Sequence, residues 1–117
     1  MTSEDQNFEI YAGESKVITV SVKEAGIAVN LTGATDIRWV VKRNEDDATA
    51  LITKTLASGI TTLDQILHAG EFTITLDPED TEDLGGASYY HEAEVTDSAG
   101  DPSTVTRGIL TIKKALT

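Results

Sequence analysis

The chain contains no cysteine, which excludes a disulfide framework, a thiolate metal site and a cysteine nucleophile. Stability has to come from an apolar core. Basic residues are scarce, 9 Lys and Arg against 20 Asp and Glu, and the formal charge of −11 gives a field that repels phosphate backbones. Nucleic acid is therefore not an expected partner. Aromatics are few as well: two Phe, one Trp and three Tyr leave little platform for stacking sugars. Only two histidines, His68 and His91, are available as imidazole bases. No uncharged apolar run approaches the roughly 20 residues of a bilayer span. The start, MTSEDQNFEI, is polar and acidic where a signal peptide is basic and then apolar, so no export signal or membrane association is read here.

What is present is alternation. The 117 residues fit one core. In SKVITVSVKE, Ile18, Val20 and Val22 alternate with polar neighbours, and in ATDIRWVVKRN, Ile37, Trp39 and Val41 do the same. The single tryptophan is thus expected inside. GEFTITLD places Phe72, Ile74 and Leu76 on one face, and Tyr89, His91, Ala93 and Val95 form a matching row. Turn signals such as Ala25-Gly26, Thr32-Gly33, Ala69-Gly70, Gly85-Gly86 and Ala99-Gly100 punctuate these runs. Helical periodicity is confined to DPEDTEDL, where Asp77 or Pro78 starts a short turn near 78–84 and Gly85 stops it. Beyond Asp101-Pro102 the last strand carries Gly108, a candidate bulge. About seven strands with turns every ~8–12 residues specify an all-β, immunoglobulin-like antiparallel β-sandwich. The expected organisation is a flexible arm over 1–7, the sandwich over 8–114 and a tail over 115–117.

The sequence offers little chemistry. A nucleophile needs a base in reach and a group to orient it. His91 lies on an inward row without a cysteine or placed serine and reads as a packed strand residue. The acids at 77, 79, 80, 82 and 83 would splay around a helical turn, and neither that stretch nor RNEDDATA has calcium-loop spacing. No catalytic residue, metal site or cofactor is assigned, and the chain is read as non-enzymatic.

Ordered segments carry a resemblance. Leu31 to Ala34 (LTGA), Val41 to Arg43 (VKR), Gly70 to Leu76 (GEFTITL), Asp80-Thr81, Tyr89-Tyr90, Val95, Asp97, Gly100 and Gly108 follow one another over residues 8 to 114. This order resembles the small immunoglobulin-like β-sandwich of tailed-bacteriophage virion proteins, including the N-terminal domain of baseplate upper proteins. The resemblance implies a structural component of the virion, present in host cytoplasm during assembly. Its partners would be other virion proteins, capsid, tail or baseplate, and further copies of itself. It transfers no catalytic residue, and it leaves the address on the particle open among capsid surface, neck, tail and baseplate. The expected contact surface comprises Phe8, Ile10 and Tyr11 on the first strand, Asp80, Glu82 and Asp83 at the acidic turn, outward Tyr90, and Lys113 and Lys114 at the end of the last strand. The first strand and the last, Thr104 to Lys113, are the expected edges for strand addition. The alternative reading is a carbohydrate- or cell-surface-binding module on the same sandwich, with Tyr90 as its stacking residue.

Overall fold

The computed structural model describes residues 4–116, and side chains from Gln6 onward. Its strands are β1 (Glu4–Asp5), β2 (Phe8–Tyr11), β3 (Lys16–Ser21), β4 (Lys23–Glu24), β5 (Ile27–Ala28), β6 (Asp36–Lys42), β7 (Ile52–Thr55), β8 (Ile60–Thr62), β9 (Glu71–Leu76), β10 (Ala87–Thr96) and β11 (Pro102–Lys113). One short helix, α1 (Pro78–Thr81), lies in the connection between β9 and β10. The larger sheet runs β1-β11-β10-β6-β7, with β2 also paired to β11; the smaller runs β3-β9-β8; β4 and β5 form a separate hairpin. Seven of the strands have four residues or more, so the count read from alternation concerns these longer ones.

The inward rows meet as their periodicity requires. Ile18, Val20 and Val22 together with Phe72, Ile74 and Leu76 face Ile37, Trp39 and Val41 and the Tyr89 to Val95 row, all buried. Burying a large apolar side chain of this kind contributes roughly 1.5–3 kcal/mol. Leu110 and Ile112 extend the row onto β11.

Three features differ from the sequence reading. First, β1 and β2 pair with β11 in parallel, Leu110 opposite Phe8 and Ile112 opposite Ile10, so the sandwich is not purely antiparallel. Residues 4–7 are consequently laid along β11 instead of forming a free arm: Gln6 N–H donates to Arg107 C=O (2.9 Å), and the Gln6 amide donates to Thr106 Oγ1 (2.8 Å). The part of the expected arm before Glu4, and Thr117 of the expected tail, lie outside the described residues. Second, β11 is flanked on both sides, so it is not an edge open to strand addition. Third, the bulge is at Val105, not Gly108. Ala93 faces Thr106 and Glu94 faces Thr104, leaving Val105 extra, and both Val105 and Thr106 point into the core. Gly108 has a different role, because a Cβ there would collide with the Gln6 carbonyl passing over it.

The acidic connection is an ordered corner. Asp77 N–H donates to Asp80 Oδ2 (2.8 Å) while Asp80 N–H donates to Asp77 C=O (3.0 Å), closing the start of α1. Buried Thr81 accepts Gly13 N–H through Oγ1 (2.9 Å), tying the corner to the turn between β2 and β3. Gly86, at φ +91°, then redirects the chain into β10. Tyr89 reaches back with its hydroxyl to Leu84 C=O (2.7 Å), the tyrosine corner of immunoglobulin-type sandwiches.

Candidate interaction surface

His91 is placed by alternation on β10 and is 2% exposed, between Trp39 on β6 and Phe8 on β2. The Trp39 indole can only donate, and its Nε1 lies 3.1 Å from His91 Nδ1, so Nδ1 is the accepting nitrogen. Nε2 therefore carries the proton and donates to the Gln6 carbonyl at 2.6 Å. Burial holds the pKa of the ring below its ordinary value, and the Gln6 bond opposes this only in part. Both nitrogens are thus engaged in holding β10, β6 and the N-terminal segment together, and neither is free to move a proton for a substrate.

The expected contact residues do not form one surface. Ile10 is a core residue, 2% exposed, because β2 turns it inward opposite Ile112; it is removed from the set. Phe8 is half-buried with its ring 5.2 Å from that of His91. Asp80 is used internally: its Oδ2 lies 2.8 Å from Lys54 Nζ on β7. Burial alone would raise its pKa, but the Lys54 hydrogen bond, the Asp77 amide and the Lys54 charge together hold the carboxyl below its usual value. Tyr11, Glu82, Asp83, Lys113 and Lys114 are exposed. The Gly13–Thr81 bond brings the acidic corner and the end of β2 to one pole of the sandwich, where Lys113 Nζ sits 5.6 Å from the Tyr11 ring and 3.6 Å from Glu9 Oε1. Among the described residues no three His, Asp or Glu side chains converge as metal ligands.

Tyr90 belongs elsewhere, on the outer face of the larger sheet. There it stands opposite Ile109 on β11 and Lys42 on β6. Alternation on the same three strands presents Arg38 and Val40, Glu92 and Glu94, and Arg107 beside it. The turn after β6 is closed by Asn44 N–H to Asp47 Oδ2 (3.0 Å) and Asp47 N–H to Asn44 C=O (3.1 Å). It leans across the face so that Glu45 Oε1 lies 3.6 Å from Arg107 Nη2. A shallow depression of about 250 Å³ lies between that turn and the strands, lined by Arg38, Val40, Lys42, Ala48, Glu92 and Glu94 among others. Arg38, Lys42 and Arg107 offset Glu45, Glu92 and Glu94, so the centre of this face is charge-balanced on a molecule of formal charge −11, with Asp36 at its margin. The outward phase of Arg38, Lys42 and Tyr90 was readable from alternation. That Glu92 would sit between Val40 and Arg107, or that Glu45 would cross the sheet, depends on register and loop path, which carry no local signal.

No family model matches the chain, and no curated protein matches it in sequence. Solved structures match in shape. The natural killer cell receptor Nkp44, described as a triggering partner in natural cytotoxicity, superposes with a TM-score of 0.54 at 17% identity, covering 95% of this chain and all (100%) of that one. A structure of the fibronectin(III)-like modules of Clostridium thermocellum CbhA gives a TM-score of 0.48 at 13% identity, over 97% of this chain and 94% of that one. At 17% identity the likeness to Nkp44 concerns the fold alone, an immunoglobulin-like β-sandwich, and goes no further.

Proposed function

We propose that the chain is a non-enzymatic assembly protein of a tailed-phage virion, working through contacts with other virion proteins and with copies of itself. Its place would be the mature particle, as a tail, baseplate, neck or capsid-surface component, and the host cytoplasm during assembly. The observation that carries the assembly reading is the balanced outer face of the larger sheet. Two strongly acidic bodies repel each other at long range, and a surface where three bases and three acids interleave around Val40, Tyr90 and Ile109 gives a neighbour both an uncharged centre and a charge register. The engagement of both His91 nitrogens supports the non-enzymatic part of the reading, and the ordered LTGA, VKR, GEFTITL and YY segments support the virion part.

The test is charge reversal on the face. Arg38→Glu combined with Arg107→Glu alters exposed side chains and is expected to lower the amount of chain recovered with purified particles, while the folded content of the free protein stays unchanged. Undiminished recovery would remove this face from the assembly. Binding on a glycan array that disappears in Tyr90→Ala would replace assembly with a carbohydrate-binding reading of the same face.

A further inference from the structure

The sheet edges are closed to different degrees. β7 has four residues and β8 three, short enough to present little backbone. On β2 the Tyr11 amide is taken by Glu14 Oε1 (3.0 Å). β3 is six residues long, KVITVS, and among the described residues no strand pairs with its far side.

Three hydrogen bonds fix which way its backbone faces. On β9, Thr75 N–H donates to Gly59 C=O (2.8 Å) and Glu71 C=O accepts from Leu63 N–H (3.1 Å), so these residues turn toward β8. Their partners on β3, Val17 and Ser21, accordingly face away from β9. Ser21 C=O does so visibly, accepting from the Gln6 side chain at 3.1 Å. Alternation puts Thr19 in the same orientation, so the N–H and C=O of Val17 and Thr19 point into open space. That space is a groove of about 450 Å³, walled by residues 7–10 on one side and 16–19 on the other. With a strand of the other sheet as its opposite wall, the groove admits one extended segment; the edge of a second sandwich would bring its larger sheet into β2. Residues 15–22 contain no acid, in a chain with 20.

We propose that the β3 edge is a strand-acceptor site and that its occupant is the segment Lys114–Leu116 of a second copy. That segment follows β11, has no acid, carries Lys114 next to Lys113, and displays Leu116 at 94% exposure. Three extended residues span about 10 Å, most of the Lys16–Thr19 stretch that lines the groove. The segment leaves the sandwich beside Ala12, whose N–H donates to Lys113 C=O (2.9 Å). To enter its own groove the chain would have to reverse over the end of β2 directly after Lys113, which a neighbour's segment need not do. Leu116 has Val17 and half-buried Phe8 to lie against. Donor and acceptor are different surfaces, so copies join head to tail and close into rings or extend as filaments. A contact this small is weak between two free copies and is strengthened by multiplicity in a closed array.

This inference rests on the assembly reading, but it is tested on purified protein alone, so the two can fail separately. Sedimentation equilibrium of the full chain is followed from about 10 μM to about 1 mM, a range suited to a contact of this size. The expected result is a weight-average mass that rises past that of a dimer, with the onset moved at least ~10-fold higher in concentration by Leu116→Asp and by Thr19→Pro. Leu116 lies outside the sandwich, so its substitution leaves the fold intact and decides the matter even if proline at 19 disturbs β3. A wild-type chain that stays monomeric throughout, or association that Leu116→Asp leaves unchanged, overturns the proposal.

Discussion

Replacing His91 by glutamine should abolish one pH dependence of stability and leave the others in place. In the folded protein Nδ1 accepts from Trp39 and Nε2–H donates to Gln6, so protonating Nδ1 breaks the Trp39 bond and places a charge in a site 2% exposed. The folded pKa lies below the ordinary 6.5, which the unfolded chain retains. The unfolded state therefore binds more protons as pH falls through 6.5, so this contribution is complete above 6.5 and lost progressively toward the lowered folded value. Linkage sets the slope at up to about 1.4 kcal/mol per pH unit. Relief of repulsion on a chain of formal charge −11 acts in the opposite sense as pH falls. The informative quantity is thus the difference between wild type and His91→Gln, measured by urea unfolding at matched pH values. Wild type should lose more stability than the variant as pH falls below 6.5, with an extra slope of up to about 1.4 kcal/mol per pH unit. Parallel curves would refute the buried neutral ring.

Other substitutions address the corner and the N-terminal segment. Tyr89→Phe removes the 2.7 Å bond to Leu84 C=O from a buried side chain and should cost about 1–2 kcal/mol, read as a lower urea midpoint with unchanged m. Asp80→Asn weakens the contact with Lys54 and the closure of α1, with an expected loss of about 1 kcal/mol. Because the Asp80 pKa is lowered from 3.8, this contribution is present above 3.8 and lost as pH falls through the lowered folded value; the wild-type minus Asn difference should shrink below pH 4. Gly108→Ala forces the Gln6 carbonyl off β11 and should cost about 1–3 kcal/mol. Faster exchange of the Gln6 amide, which donates to Arg107 C=O, would accompany it.

Alternation made the core legible: the Ile18, Ile37, Phe72 and Tyr89 rows could each be assigned a face because strand periodicity is local. The tyrosine corner is local as well, since hydroxyl and acceptor are five residues apart. What escaped depends on chain path. The pairing of Phe8 with Leu110 turns Ile10 inward and removes β11 from the edges, and it joins residues about a hundred positions apart. The bulge at Val105 follows from fitting β11 to β10, whereas glycine at 108 answers to the passage of Gln6. Asp80 looked like one of a run of surface acids until Lys54, from another strand, was placed against it. The balanced face is likewise a property of register, with Glu92 and Arg107 neighbours only across β10 and β11.

The central claim is that this chain is built into a tailed-phage particle. Quantitative mass spectrometry of gradient-purified virions from a phage whose genome carries this reading frame tests that claim most directly. The account predicts peptides of the chain in a fixed ratio to the major structural proteins, persisting through washes that strip host contaminants. Virions that are complete and infectious yet contain none of it would contradict the account.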